Sequence, residues 1–320
     1  MQKFRLTRET LYGLIAILIW STTIAFPRSL SEQVGALRGG AAIFIISGLF
    51  CLTWFFKQGR VLTRLRQFPI PYLYGCGGLF ILYILALYIA IGLAHDRYQA
   101  LEIGLINYLW PSCTILFSLF LLRKRGSRLL WPGTALALLG VTLAMTQGTA
   151  VSISSFIRNI QGNPFAYLLA LIAAVSWGLY SNLARRWTKP ENENGVVLFI
   201  PATGLVLLLI AFWSPGSGVW TLRAVLEAIF VGLATMVAYI LWDSAMRKGD
   251  MVFVAACSYF TPFFSTLFSC FYLKIAPAAV LWVGCGLIIA GSLLSWIAVA
   301  DDAAKKSQMI EFKNEKAANP

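Results

Sequence analysis

Asn107, Trp110 and Thr114 recur at i, i+3 and i+7 inside a long apolar segment. That spacing sets an amide, an indole and a hydroxyl on one face of a helix. The chemistry the trio offers is recognition rather than bond breaking. Rings can stack on a flat guest or meet it edge-on, for about 0.5–1.5 kcal/mol per pair beyond area, while the amide holds a polar end. Tyr108 and Pro111 complete the run. In a membrane helix Trp and Tyr belong near the interfaces. At mid-depth they answer to a helix contact or to the wall of a cavity.

Other large rings share that depth. Trp20, Tyr83, Trp177 and Tyr259 lie near the middles of apolar runs, whereas Trp54, Trp131, Trp187, Trp213, Trp220, Trp242, Trp282 and Trp296 fall towards run ends or loops and fit an interfacial belt. Ser21, Thr22 and Thr23 follow Trp20, and Tyr180, Ser181 and Asn182 follow Trp177. An unpaired amide or hydroxyl is costly in hydrocarbon, so such groups face protein or a cavity. Pro111 and Pro262 are expected helix kinks, each freeing a carbonyl one turn earlier, near Asn107 and Ser258, that suits a substrate ammonium. Glu102 sits roughly 140° around the helix from Asn107, so it faces a neighbouring helix or serves in coupling. Asp243 and Arg247, at i, i+4, read as an anchor near a run end. His95 and Asp96 read as a surface turn.

The elements that must carry these residues are membrane helices. Of 320 residues 59% are hydrophobic and 12% charged, against about 25% charged in soluble domains. Runs of about 20 apolar residues, each long enough for a ~30 Å hydrocarbon core, divide into ten expected spans. These are 10–30, 34–56, 71–94, 97–122, 129–147, 164–187, 196–213, 222–246, 251–273 and 278–299. Pro27, Pro69, Pro71, Pro132, Pro164, Pro215 and Pro277 lie at or near their ends. The runs lack the period-2 alternation of a β-barrel. The first leads straight into further spans, so it reads as a span rather than a cleaved signal.

Loop charge orients the chain. Lys3, Arg5 and Arg8, the 57–66 loop with Lys57, Arg60, Arg64 and Arg66, the 123–128 loop, Arg185 to Lys189, Arg247 with Lys248, and the tail carry 20 of the 26 Lys and Arg residues. Arg28, Arg38, Arg97, Arg158, Arg223 and Lys274 fall in the intervening loops. An excess of Lys and Arg marks the cytoplasmic side, so both termini are expected there. The net charge of +13 is explained by these loops, and no nucleic-acid partner is expected. The six cysteines form no C-x-x-C pair and read as small apolar residues, and a single histidine excludes zinc-hydrolase motifs. No enzyme activity, metal or cofactor is expected.

A shift of 151 residues superimposes the two halves: Tyr88 falls on Tyr239, Tyr108 on Tyr259, Pro111 on Pro262, Trp131 on Trp282 and Gly140 on Gly291. Trp20 meets Trp177 at a slightly different offset. Two five-span units follow, 1–150 and 164–300, joined by a periplasmic linker at 151–163 and followed by a disordered cytoplasmic tail at 301–320. Five is odd, so the second unit enters the membrane from the opposite side. The expected class is therefore an all-α integral membrane protein of two inverted five-helix repeats, an architecture common among secondary transporters with a site at the repeat interface. Gly35-x-x-x-Gly39, Gly75-x-Gly77-Gly78 and Gly284-x-Gly286 read as packing seams.

Ten spans in inverted halves resemble the drug/metabolite transporter superfamily. The segment Leu101-Glu102-Ile103-Gly104-Leu105-Ile106-Asn107-Tyr108-Leu109-Trp110-Pro111-Ser112 is similar to its bacterial aromatic amino acid exporters, as are Trp20-Ser21-Thr22, Gly39-Gly40-Ala41-Ala42-Ile43 and Ser258-Tyr259-Phe260-Thr261-Pro262. The resemblance implies an inner-membrane exporter of aromatic and related amino acids, with Trp20, Tyr83, Asn107, Tyr108, Trp110 and Trp177 as substrate-binding positions and Tyr259 beside them; a monomer is expected. The alternative is export of other metabolites or lipophilic cationic drugs within the same superfamily.

Overall fold

A computed structural model describes residues 7–23, 25–59, 66–146, 153–189, 192–213, 218–273 and 279–318. Lys3, Arg5, Arg60, Arg64, Pro215, Lys274 and Pro277 lie outside them. The described chain is helical throughout, with no strand among the described residues. Its helices are α1 (Arg8–Thr23), α2 (Ala25–Val34), α3 (Ala36–Lys57), α4 (Gly77–Gly92, entered through a wider π turn at Pro71–Cys76), α5 (Arg97–Asn107) and α6 (Trp110–Leu121). After these come α7 (Leu130–Thr146), α8 (Ile153–Gly162), α9 (Pro164–Trp187), α10 (Val196–Trp213), α11 (Leu222–Lys248), α12 (Met251–Cys257), α13 (Thr261–Leu273) and α14 (Ala279–Ala318).

Eight stretches are long and apolar enough to cross a membrane: Ala36–Lys57, Pro71–Gly92, Tyr98–Leu121, Pro164–Trp187, Val196–Trp213, Leu222–Lys248, Met251–Phe268 and Ala279–Val299. α7 is a shorter apolar helix of 17 residues. Phe212, Trp213 and Phe271 are more than four-fifths exposed (82%, 84% and 81%), a placement that suits contact with lipid and not with water. Starts and stops follow local chemistry. Asp96, Thr221 and Asp250 cap α5, α11 and α12 by accepting from the amides of Gln99, Ala224 and Phe253. Pro71 and Pro164 open their helices, where a missing N–H costs nothing.

Two helices fall on stretches expected to be tail and linker. The last helix continues through Ala318, into the stretch expected as a disordered tail. The 151–163 linker contains α8, whose Phe156 ring packs 5.9 Å from Tyr167.

Helix pairs are held by close backbone approach. α7 lies along α14, α3 along α10, α1 along α11 and α4 along α9. A β-carbon on Gly140 would stand 2.6 Å from the Gly284 carbonyl and one on Gly48 2.7 Å from Pro201 Cα. Gly35, Gly78 and Gly286 meet nothing within 4 Å, so those three positions of the expected seams take no part in close packing. Cys51 and Cys76 are buried and unbridged.

Candidate functional site

The segment with the Asn107 amide and the Trp110 indole breaks where Pro111 removes an amide N–H. α5 ends at Asn107, Tyr108 and Leu109 turn, and α6 begins at Trp110. The turn is tightened by a bond from the Leu109 amide to the Ile106 carbonyl (3.0 Å). The second half breaks in the same place. α12 ends at Cys257, Ser258–Phe260 form a 3-10 turn, and α13 restarts with Pro262 as its second residue. Both expected kinks are therefore present. The break also ends the regular 100° progression that placed Thr114 beside Asn107. Thr114 Oγ1 donates to the Trp110 carbonyl (2.8 Å). The span-1 hydroxyls are spent likewise: Ser21 on Ile17, Thr22 and Thr23 on Ile19.

Four of the expected rings converge. Trp20 stands 6.5 Å from Trp110 and 6.1 Å from Trp177, and Trp110 stands 6.4 Å from Trp177, all edge-to-face. Tyr83 lies 4.6 Å from Trp177. Edge-to-face contact places a positive ring edge on a negative face, so these rings pack without leaving their own quadrupoles opposed. Asn107 and Tyr239 reach the Tyr83 hydroxyl. Asn107 Oδ1 is buried and accepts no hydrogen bond from a described residue.

Four further rings complete the cluster. Trp242 contacts Trp20 and Trp110, both at 5.2 Å, and stacks on Trp177 at 6.0 Å. Tyr239 contacts Trp20 (5.4 Å) and Trp177 (5.5 Å). Tyr180 stacks on Trp177 (5.0 Å), and Phe80 meets Tyr239 (5.0 Å). Trp242 is fully buried, so its assignment to the interfacial belt is corrected. α11 has 27 residues, about 40 Å of helix, so Trp242 stands well inside the protein although it is six residues from the helix end. One signal was available. Phe80/Tyr83, Trp177/Tyr180 and Tyr239/Trp242 are all i, i+3 pairs, the spacing that puts two rings on one helix face.

Tyr108 and Tyr259 lie outside the cluster. They belong to a second packed group with Ile115, Val141 and Ile288, where the Tyr259 hydroxyl meets Ser112 Oγ at 2.6 Å. Glu102 also lies apart. It is buried, accepting from Asn159 Nδ2 of α8 (3.1 and 3.2 Å) and from the Tyr167 hydroxyl of α9. A groove of about 340 Å³ lies elsewhere, between α3 and α10, lined by Ile45, Leu49, Leu52, Pro201, Ala202 and Leu205.

Beneath the cluster a charged network is buried. Arg247 Nε stands 2.7 Å from Asp243 Oδ2, with both side chains almost wholly enclosed (2% and 0% exposed). Asp243 also accepts from the hydroxyls of Tyr180 (2.7 Å) and Tyr72 (3.1 and 3.2 Å). Tyr72 accepts from the Gly195 amide (2.9 Å), and Arg247 Nη1 donates to the Asn192 carbonyl (3.1 Å). The pair expected to anchor a run end, Asp243 and Arg247, lies instead at an interior junction of α9, α11, the π turn and the 192–195 loop.

The model of the EamA-like transporter family matches residues 7–146 and again 164–297. The chain belongs to the EamA-like transporter family. Relatives carrying the name aromatic amino acid exporter YddG, from Salmonella typhimurium and Escherichia coli K12, are 33% identical over 91% of this chain and 97% of theirs. A relative of that name from Ancylobacter novellus is 32% identical over 89% of this chain and 96% of its own. A crystal structure 28% identical superposes with a TM-score of 0.75 over 92% of this chain and all of that one. This EamA-like protein is thus a multi-pass membrane transporter. Its aromatic cluster joins residues of both matched segments, Trp20, Tyr83 and Trp110 from the first and Trp177, Tyr239 and Trp242 from the second.

Proposed function

We infer that this chain exports aromatic amino acids across a bacterial inner membrane by alternating access around the central ring cluster. The observation that carries the reading is the cluster itself. Seven aromatic side chains from both matched segments meet around Trp177, next to a buried Asn107 oxygen that accepts from no described residue. An uncompensated buried acceptor is costly, and a guest bearing an N–H or O–H satisfies it. The relatives' name, aromatic amino acid exporter, points to the same guest.

Ten spans are part of this reading. α1 with α2 makes the first and α7 the fifth, since 17 residues rise about 26 Å. Inverted five-span halves, 1–150 and 164–300, are supported by the double family match and by the packing. Exchanging the halves turns the α1–α11 pair into the α9–α4 pair. The loop charges favour cytoplasmic termini and a periplasmic 151–163 segment. The working unit is a monomer. Trp20, Tyr83, Asn107, Trp110 and Trp177 contact the substrate, while Tyr108 and Tyr259 shape the two helix breaks.

The test is efflux of Trp, Phe and Tyr from loaded proteoliposomes. Flux of all three above empty vesicles is expected, and its absence sinks the reading. Trp110→Ala is expected to lower that flux in protein that remains folded; unchanged flux would reduce the indole to packing.

Glu102 ties α8 to α5 and α9 in this reading. Glu102→Ala leaves the buried Tyr167 hydroxyl unmatched, costing about 1–3 kcal/mol, and frees the half-buried Asn159 amide, so the melting temperature should fall while flux per folded molecule holds. Loss of a pH-gradient response in Glu102→Gln would instead make it a coupling group.

A further inference from the structure

The aromatic cluster answers the ring of an aromatic amino acid and leaves its two main-chain charges unanswered. At neutral pH the free amino acid carries an ammonium and a carboxylate on adjacent carbons. Bringing either into a membrane interior without a partner is expensive. The sequence offers few partners. Within four residues of any of the eight cluster rings, Asp243 is the one charged residue. It follows Trp242 directly, and its hydroxyl partner Tyr180 stacks on Trp177. The cation that faces it is Arg247, one turn further along α11.

The pair is enclosed but imperfectly matched. Arg247 Nε lies 2.7 Å from the carboxylate, yet off the N–H axis, so this buried N–H has no aligned acceptor among the described residues. The guanidinium also sits over the Tyr72 ring at 5.8 Å. A planar guanidinium is built to take a carboxylate through two parallel N–H bonds, and here it takes none in that way. The side chain is therefore a buried donor fork whose charge is paired but whose Nε–H is poorly aimed, one helical turn from the rings that would hold the guest.

We propose that the Asp243–Arg247 pair is the main-chain subsite for the transported amino acid. The substrate ammonium bonds to Asp243 and its carboxylate to Arg247, while its ring lies among Trp20, Trp110, Trp177 and Trp242. The inference rests on the amino acid export reading. Substitution by a zwitterion conserves charge pairing: each protein ion exchanges one opposite charge for another and none is left alone. Without substrate the ions satisfy each other, and Tyr72 and Tyr180 join the π turn and α9 to the closed junction. An amine or an acid alone would strand one buried ion. The subsite thus selects amino acids over amines and acids with the same ring, because a site built around polar partners rejects an analogue that lacks one. Asn107 Oδ1 is left for a donor on the ring, such as an indole N–H.

The test is competition in proteoliposomes holding the full-length protein. Uptake of labelled tryptophan is challenged with tryptophan, with tryptamine, which lacks the carboxylate, and with indole-3-propionate, which lacks the ammonium. For the wild type each analogue should compete at least about tenfold more weakly than tryptophan, the equivalent of about 1.4 kcal/mol. Arg247→Gln should remove the preference over tryptamine but keep that over indole-3-propionate. Asp243→Asn should do the reverse. A single change that strands its buried partner can unfold the protein. The double variant Asp243→Asn/Arg247→Gln strands no charge and should lose both preferences together. A purely structural pair would weaken all three competitors alike. Equal competition by all three in the wild type, or an unaltered order in folded variants, overturns the subsite. No tryptophan uptake by the wild type would instead sink the export reading.

Discussion

Trp177→Ala is expected to abolish aromatic amino acid flux and to destabilise the fold together. The indole is 1% exposed and touches Trp20, Phe80, Tyr83, Trp110, Tyr180, Tyr239 and Trp242. Removing a buried Trp costs about 3–5 kcal/mol in core-substitution series, because the lost contacts are joined by a cavity that neighbours fill only partly. Here seven rings surround the indole, and their bulk limits the collapse. Trp177→Phe separates the two losses. It keeps a ring against Tyr83 and Tyr180 and should recover most of the stability, while the altered shape of the site still lowers flux. The measurements are a thermal melt in detergent and efflux per folded molecule. Full flux in Trp177→Phe with tryptophan, phenylalanine and tyrosine alike would show that the indole is filler.

Gly140→Val should block assembly of the bundle without touching the site. A β-carbon there would stand 2.6 Å from the Gly284 carbonyl and 2.7 Å from the Ile288 amide nitrogen. Both obstacles are backbone, so no rotamer change relieves them and α7 must part from α14. Overpacking costs about 1–3 kcal/mol where side chains can yield, and a backbone obstacle sets this case at or above the upper end. Gly286→Val is the control on α14, where an added carbon meets nothing within 4 Å. The readout is the yield and melting temperature of monodisperse protein. Equal behaviour of the two variants would mean that α7 and α14 do not need this contact.

Much of the site was legible because membrane segments use few large polar-edged rings at depth. Trp20, Tyr83, Trp110 and Trp177 stood out in runs of Leu, Ile and Val, and they do meet. Pro111 and Pro262 announced their breaks, since a missing N–H opens a helix whatever surrounds it. Depth estimated from position along the chain failed for Trp242. α11 is longer than the hydrocarbon core is thick, so a place near its end in sequence is not a place at the membrane surface. The same estimate made Asp243 and Arg247 an anchor at a run end. Regular helical angles failed beyond Tyr108, because the break that Pro111 causes also resets the face on which Thr114 lies. Tyr108 and Tyr259 were paired correctly by the repeat but point into a separate packed group, since symmetry relates two positions without saying what surrounds either.

By itself the sequence determined the helical membrane class, the repeat in its two halves, the proline breaks and four of the rings. Each is a local or periodic property, written in hydropathy, in proline chemistry or in a fixed offset. Only the tertiary structure decided that Trp242, Tyr239, Tyr180 and Phe80 close the ring cluster, that Glu102 is spent on α8 and α9, and that Asp243 and Arg247 lie inside. Those facts depend on how helices from the two halves cross, and a crossing is fixed by glycines such as Gly140 and Gly48 admitting a backbone more than a hundred residues away.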